Sequence, residues 1–144
     1  LRHSSTYEGQ AAMELEAIAA EDINSYYPFS LEEGETLIIN PEPLFYYLLE
    51  DIKKRTERPV ISAKFHNSIV VMIKDICNKM RKLYNLKNVI LSGGVFQNSY
   101  LSVRTEKILL ESGFNVYQNM EIPPNDGGIS PGQIAVAYNN VSRG

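Results

Sequence analysis

The sequence has 144 residues, of which 44% are hydrophobic and 22% are charged. This balance is typical of one ordinary globular domain with a buried core, and it excludes a disordered or low-complexity chain. The formal net charge of −3 provides no basic field that would attract nucleic acid or an anionic membrane surface.

Cysteine usage and hydropathy restrict the compartment. Cys77 is the only cysteine, so the sequence offers neither an internal disulfide nor a thiolate zinc site. Its apolar runs are shorter than the ~20 residues that a membrane-spanning helix needs. These features favour a reducing, aqueous compartment such as the cytoplasm. The chain opens at Leu1 without a charged-then-apolar leader, from which we expect a segment of a longer protein.

The N-terminal part predicts a helix followed by a hairpin. Apolar residues at helical spacing predict a helix from Thr6 to Glu21, with Ser4, Ser5 or Thr6 as N-cap. Two short apolar and β-branched segments, 26–31 and 36–39, flank a glycine turn and predict a small hairpin.

Two further helices are predicted before residue 87. Prolines suit a first helical turn, so a helix is expected from about Pro43 to Arg55, with Pro59 as its stop. A second, longer helix follows, because apolar residues step by three and four along its sequence. We expect this stripe to be buried; it consists of Phe65, Ile69, Met72, Ile73, Ile76, Met80 and Leu83.

From Asn88 onward the pattern predicts a βαβ unit. Residues 88–92 predict a strand, 98–112 a helix and 115–118 a second strand, with Gly113 as the left-handed cap of the helix. A right-handed crossover makes the two strands parallel, so the loops that follow them lie at one edge of the sheet. Ligands of open α/β sheets bind at this edge.

The first of these loops contains Gly93 and Gly94. Their backbone N–H groups could hold a phosphate, helped by the positive end of the following helix, or the two glycines could simply form a tight turn. The loop is neither a Walker loop nor a G-x-G-x-x-G fingerprint, because the Gly-Lys-Ser/Thr ending and the third glycine are absent. Asn98 could cap the following helix or bind a ligand from the far end of the loop.

The second loop contains Asp126, Gly127 and Gly128 and leads into a helix of small residues. Each glycine in a first helical turn costs roughly 1 kcal/mol relative to alanine, so we expect the close approach of a ligand or of another backbone there. Asp126 could cap the helix or bind a metal. The cap is the favoured interpretation, because a metal needs further carboxylates and none lies nearby in the sequence.

Three more side chains carry groups that could take part in chemistry: His66, Cys77 and Glu8. His66 shares a helical row with Val70, Ile73 and Cys77, which favours a packed histidine with one hydrogen bond over a catalytic base. Cys77 is expected to be a small core residue, since no cation is evident to activate a thiolate. Glu8 could interact with the helix dipole or bind hydroxyl groups such as those of a ribose.

Several motifs, in this order along nearly the whole chain, resemble the C-terminal end of the NiFe-hydrogenase maturation carbamoyltransferase family, HypF. They are Glu8-Gly-Gln-Ala-Ala-Met13, Leu15-Glu16, Phe65-His66-Asn67, Leu91-Ser-Gly-Gly-Val-Phe-Gln-Asn98, Pro123-Pro-Asn-Asp-Gly-Gly-Ile129 and Gly132-Gln133. The resemblance implies an α/β fold, the C-terminal lobe of an actin-like, sugar-kinase-like (ribonuclease H-like) ATPase fold with helices flanking a short parallel sheet. Residues 1–144 would be one segment of a larger multidomain protein.

The resemblance also implies an activity. The family uses carbamoyl phosphate and ATP, by way of carbamoyl adenylate, to carbamoylate the C-terminal cysteine of a partner maturation protein, for the cyanide ligand of the hydrogenase iron. Gly93, Gly94, Gly127 and Gly128 would lie in the nucleotide site, with Asn98 beside the adenosine. Glu8 would reach the ribose, and Asp126 would supply one ligand of a divalent metal.

Other parts of the implied site lie upstream of such a segment, among them the paired histidine metal ligands. We therefore expect negligible activity from this chain alone. Two alternatives stay open: a lobe of a carbamoyltransferase that acts on a small-molecule hydroxyl, and a structural or interaction domain without catalysis.

Overall fold

The computed structural model describes residues 4–34, 36–119 and 126–141. Five α-helices and four strands lie in this part of the chain, with two short 3₁₀ turns beside them. In chain order the elements are α1 (Gln10–Ala17), β1 (Ser30–Glu33), β2 (Leu37–Asn40), α2 (Glu42–Lys53), α3 (Arg58–Tyr84), β3 (Asn88–Leu91), a 3₁₀ turn (Gly94–Gln97), α4 (Ser99–Glu111), β4 (Asn115–Gln118), a second 3₁₀ turn (Asp126–Gly128) and α5 (Ile129–Val141).

The first helix is shorter than the prediction of Thr6 to Glu21. Gly9 takes a left-handed conformation with φ of 79°, so the helix cannot extend toward the N-terminus through this residue and α1 begins at Gln10. The predicted N-cap at Ser4, Ser5 or Thr6 is therefore wrong. Instead the buried Gln10 side chain accepts hydrogen bonds from the backbone and hydroxyl of Thr6.

The hairpin and the two following helices are present with shifted bounds. Strands β1 and β2 pair antiparallel, with Leu31 opposite Ile39. Arg55 ends the path of α2 in a left-handed conformation with φ of 57°. Pro59 is not the stop that was predicted: it lies in the first turn of α3, where its missing N–H has no intrahelical acceptor to lose.

The predicted βαβ unit is confirmed. Strands β3 and β4 run parallel, with Asn88 opposite Asn115 and Leu91 opposite Gln118. Between them α4 ends in a Schellman motif, in which Phe114 N donates to Leu109 O and Gly113 N donates to Leu110 O. Gly113 has φ of 80°, as a left-handed cap requires. The predicted α/β class, with helices flanking a short parallel sheet, is thus observed.

The core lies between one face of this sheet and the helices α3 and α4. Leu91, Leu109 and Phe114 are buried at its centre, and Cys77 of α3 packs against them. Because strand side chains alternate between faces, Ile90 and Tyr117 point away from this core, and both are exposed. Burial raises the pKa of the Cys77 thiol, in agreement with the prediction of an unreactive core cysteine.

Helix α5 buries none of its residues and exposes apolar side chains such as Ile134 and Tyr138. No helix in the described ranges is long and apolar enough to cross a membrane.

Candidate functional site

The two glycine loops leave the sheet at the carboxyl ends of β3 and β4. The strands are parallel and in register, so both loops begin at one edge, as the sequence predicts. Gly93 and Gly94 follow β3 after one intervening residue, Ser92. Residues 120–125 of the second loop, including Pro123, Pro124 and Asn125 of the sequence motif, lie outside the described residues.

Gly93 has a backbone conformation that is essentially restricted to glycine, with φ of 100° and ψ of 157°. A Cβ built at this position would meet no atom of the described residues within 4 Å. Glycine is therefore required here for the shape of the backbone and not to avoid a clash with the described residues.

The 3₁₀ turn after Gly93 begins with two N–H groups that have no acceptor inside the turn. Phe96 N donates to Gly93 O, and Asn98 N donates to Val95 O. The first N–H groups of any helical turn lack intrahelical acceptors, and in this turn they belong to Gly94 and Val95. Two backbone donors at the carboxyl end of a strand form an anion-binding concavity.

Asn98 has two partners, only one of which was predicted. Its Oδ1 accepts from the backbone nitrogen of Leu101 at 2.8 Å, so the residue caps α4. Its Nδ2 lies 3.0 Å from Nε2 of His66 in α3. The side chain is only partly buried, so it remains within reach of a ligand at the edge of the sheet.

The positive end of α4 is already neutralised by a carboxylate. Oε1 of Glu16, on α1, lies 2.6 Å from Ser99 N and 3.4 Å from Tyr100 N. The sequence predicts that this helix end assists a phosphate, and that prediction is wrong, because its donors already have partners. Because Glu16 and Asn98 occupy its donors, the donors that remain for an anion are those of Gly94 and Val95.

His66 is a packed histidine, as predicted, but both ring nitrogens have partners. It is 5% exposed, and its Nδ1 lies 2.8 Å from the carbonyl oxygen of Ser62. The ring also packs against that of Tyr100, with 5.2 Å between centroids. The sequence offered no signal for the contact with Asn98, because it spans two helices.

A row of buried polar residues beside His66 was also missed. Asn67 Nδ2 donates to the carbonyl oxygens of Ile23 and Ser25, and Ser68 Oγ accepts from Tyr27 N. Tyr27 itself donates its hydroxyl proton to Asp51. These bonds hold the segment between α1 and β1 against α3, because buried polar groups on a helix face need fixed partners.

The remaining predicted residues, of which Gly128 is half-buried and the others are exposed, do not form a metal site by themselves. Glu8 lies in the turn before Gly9, and Asp126, Gly127 and Gly128 form the 3₁₀ turn before α5. Within the described residues no three His, Cys, Asp or Glu side chains lie close enough to hold a metal ion. Asp126 could contribute one ligand, so the described part of this chain does not fit a complete metal centre.

The sequence matches a family model described as carbamoyltransferase, Kae1-like domain, second subdomain, over residues 1–133. It is 37% identical over 131 residues to carbamoyltransferase HypF of Synechocystis sp., and this match covers 90% of this chain and 16% of that protein. It is 33% identical over 132 residues to the Rhodobacter capsulatus HypF, with 92% and 16% covered. The chain therefore spans about a sixth of the length of these relatives.

Solved structures agree with this similarity. Full-length HypF in a phosphate- and nucleotide-bound form superposes with a TM-score of 0.91 at 45% identity, covering 99% of this chain and 19% of that one. HypF of T. kodakarensis gives a TM-score of 0.78 at 26% identity, covering 99% and 18%.

The fold and the glycine loops at the carboxyl edge of the sheet thus define a domain of the Kae1-like type. This chain belongs to the carbamoyltransferase HypF family. The hydrogenase-maturation family that the sequence motifs resembled is confirmed by these similarities.

Proposed function

We propose that this chain is the C-terminal nucleotide-binding lobe of a larger carbamoyltransferase. The complete enzyme would use carbamoyl phosphate and ATP, by way of carbamoyl adenylate, to carbamoylate the C-terminal cysteine of a hydrogenase maturation partner. The carbamoyl group would become the cyanide ligand of the hydrogenase iron. This activity requires two kinds of partner for the chain: the upstream domains of the same protein and the hydrogenase maturation protein that carries the C-terminal cysteine.

The observation that carries the proposal is the edge formed by Gly93, Gly94 and Asn98. Two backbone N–H groups without an acceptor in their own turn, those of Gly94 and Val95, and a partly exposed amide lie on one short segment after β3. A phosphate and a base edge are chemically suited to these groups. The related full-length HypF structure that is 45% identical to this chain was solved in a phosphate- and nucleotide-bound form, which supports a nucleotide as a ligand of the whole protein.

In this proposal Gly93 and Gly94 meet the nucleotide phosphates and Asn98 lies beside the adenosine. Gly127 and Gly128 line the second side of the nucleotide site, and Glu8 reaches the ribose. Asp126 supplies a single ligand to a divalent metal whose other ligands belong to the rest of the protein.

The transfer itself needs groups beyond those of this chain. A thiolate that attacks the carbamoyl carbon of an adenylate forms a C–S bond and breaks the C–O bond to the phosphate, so AMP leaves. The chain's own residues would bind and orient the nucleotide end of this intermediate. Because one lobe holds only one of the reactants, we expect no measurable transfer from residues 1–144 alone.

The phosphate assignment is tested by charge at Gly94. In the whole protein that contains this chain, Gly94→Glu places a carboxylate beside the proposed phosphate position, and Gly94→Gln adds the same bulk without charge. We expect Gly94→Glu to weaken ATP binding severely, and more than Gly94→Gln, in isothermal titration calorimetry. Wild-type affinity in Gly94→Glu, or equal losses in both variants, would contradict a phosphate at this loop.

A further inference from the structure

We propose that His66 is a positioning residue for the nucleotide site, which holds the Asn98 amide in one orientation through a direct hydrogen bond. The two side chains come from different helices, and Nε2 of His66 lies 3.0 Å from Nδ2 of Asn98. The inference rests on the proposed function, because it takes from it that Asn98 contacts the adenosine.

Donor and acceptor assignments along this chain of contacts are fixed at both ends. The carbonyl oxygen of Ser62 can only accept, so Nδ1 of His66 carries the proton. The backbone nitrogen of Leu101 can only donate, so the atom of Asn98 that it contacts is the oxygen. Nδ2 of Asn98 therefore faces His66 and donates to the lone pair of Nε2, which requires a neutral imidazole.

The ring that holds Asn98 is itself immobilised. His66 is 5% exposed, and its ring contacts those of Phe65 and Tyr100, with centroid separations of 6.0 and 5.2 Å. Tyr100 is held in turn by a bond from its hydroxyl to Ala20 O. A buried histidine that is bonded at both nitrogens and contacts two aromatic rings can fix the orientation of an amide.

Asn98 retains the groups that a base would need. One hydrogen of Nδ2 goes to His66 and one lone pair of Oδ1 goes to Leu101, which leaves one donor and one acceptor. A paired donor and acceptor on an asparagine is the pattern that recognises an adenine edge. Without the bond to His66, the amide is held only by the bond from Leu101 N to Oδ1 and loses the second contact that fixes the position of Nδ2.

The test compares ATP binding by variants of the whole protein in isothermal titration calorimetry. His66→Phe keeps the bulk of the ring and removes both hydrogen bonds, and we expect it to weaken ATP binding by roughly tenfold, the size of one hydrogen bond. Asn98→Ala should weaken binding at least as much. The double variant should bind no worse than Asn98→Ala, because His66 acts only through Asn98.

Amide replacements at position 66 test the hydrogen bond separately from the packing. His66→Gln keeps an acceptor for Asn98 and a donor for Ser62, so it should retain most of the affinity. The asparagine of His66→Asn is one methylene shorter than glutamine, so this variant should lose ATP affinity. This pair also replaces His66→Phe if that variant does not fold. Ser68→Ala is the matched control, because Ser68 lies on the same helix as His66. This variant removes the buried bond that Ser68 Oγ accepts from Tyr27 N, so it should lower the thermal midpoint and leave ATP affinity unchanged.

The outcomes separate this inference from the proposed function. Wild-type affinity in Asn98→Ala would remove the adenosine contact itself, and the inference would fail with it. Weak binding in Asn98→Ala with wild-type binding in His66→Phe would overturn the positioning role alone. It would also be overturned by additive losses in the double variant, or by equal affinities in His66→Gln and His66→Asn.

Discussion

Oε1 of Glu16 lies 2.6 Å from the backbone nitrogen of Ser99, which is 83 residues further along the chain. The Glu16 carboxylate, near the end of α1, accepts hydrogen bonds from the first backbone N–H groups of α4, and Asn98 caps the same helix end as its own N-cap residue. Two acceptors at one helix end satisfy donors that otherwise require water or a ligand. The contact also joins the N-terminal helix to the edge of the sheet where the glycine loops begin.

Removing the charge of Glu16 should destabilise the protein. Glu16→Gln keeps an acceptor but loses the interaction of an anion with the helix dipole, at a cost of about 0.5–1 kcal/mol. Glu16→Ala loses the hydrogen bonds as well and should cost about 1–2 kcal/mol. Urea unfolding of the whole protein measures both. Glu111→Gln, at the opposite end of α4, is the control and should be neutral or slightly stabilising; equal losses in Glu111→Gln and Glu16→Gln would contradict the dipole explanation.

Alanine at Gly93 should strain the loop without a steric clash. The φ of 100° and ψ of 157° are accessible almost only to glycine, so we expect a loss of about 1–3 kcal/mol in unfolding free energy. ATP affinity should fall as well, because the donors of Gly94 and Val95 depend on this turn. Gly132→Ala, within α5, is the control: it has open space and no unusual φ, and should be neutral or stabilising. A Gly93→Ala protein as stable as the wild type would exclude a strained turn.

The Asp51 carboxylate should make stability depend on pH in the acid range. Lys64 Nζ lies 2.6 Å from it and the Tyr27 hydroxyl 2.9 Å, and the bond from Lys64 is the main cause that lowers the pKa of Asp51. A lowered pKa in the folded state adds stability above the unfolded pKa of about 3.9. This contribution disappears as the pH falls through the folded value.

Asp51→Asn should therefore cost about 1–3 kcal/mol near pH 7, and the difference from wild type should shrink below about pH 4. Urea unfolding at pH 7 and pH 3 provides the comparison. Glu50→Gln is the matched control, since its ion pair with Lys53 is exposed and should contribute little. A difference between Asp51→Asn and wild type that stays constant from pH 7 to pH 3 would show that the ionised pair is not its source.

Asp126→Asn distinguishes a metal ligand from a helix cap. Asparagine preserves capping of the following turn, so a purely structural Asp126 predicts unchanged stability, metal content and transfer. The proposed metal role predicts that the whole protein loses both metal and transfer while it keeps its thermal midpoint. Metal content is measured by elemental analysis on the same samples. Full metal occupancy in Asp126→Asn would remove this residue from the proposed site.

Local patterns predicted the C-terminal half of the fold well. The strand 115–118 and the cap at Gly113 were predicted at their observed positions, because strand alternation and a left-handed glycine are properties of a few adjacent residues. The start of α1 was predicted wrongly. The candidate N-caps at Ser4, Ser5 and Thr6 extended the predicted helix across Gly9, and the left-handed conformation of that residue became evident only in the folded chain.

The site was predictable only as a set of separate residues. Gly93, Gly94 and Asn98 could be found from strand, loop and helix signals. Their supports could not, because Glu16 and His66 reach this edge from other helices, 83 and 32 residues away from their partners. Contacts of this kind depend on how helices pack, and no short sequence window contains both partners. His66 was therefore expected to be a core residue with a single bond.

Carbamoyl transfer by the whole protein tests the central claim most directly. Carbamoyl phosphate, ATP and a peptide with the partner's C-terminal cysteine are supplied to the wild type, Gly94→Glu and Gly94→Gln, and a sugar alcohol is offered as the competing acceptor. We expect the wild type to carbamoylate the cysteine with release of AMP, and Gly94→Glu to lose the activity at an unchanged thermal midpoint. Transfer by Gly94→Glu at the wild-type rate, or transfer to the sugar alcohol alone, would contradict the account.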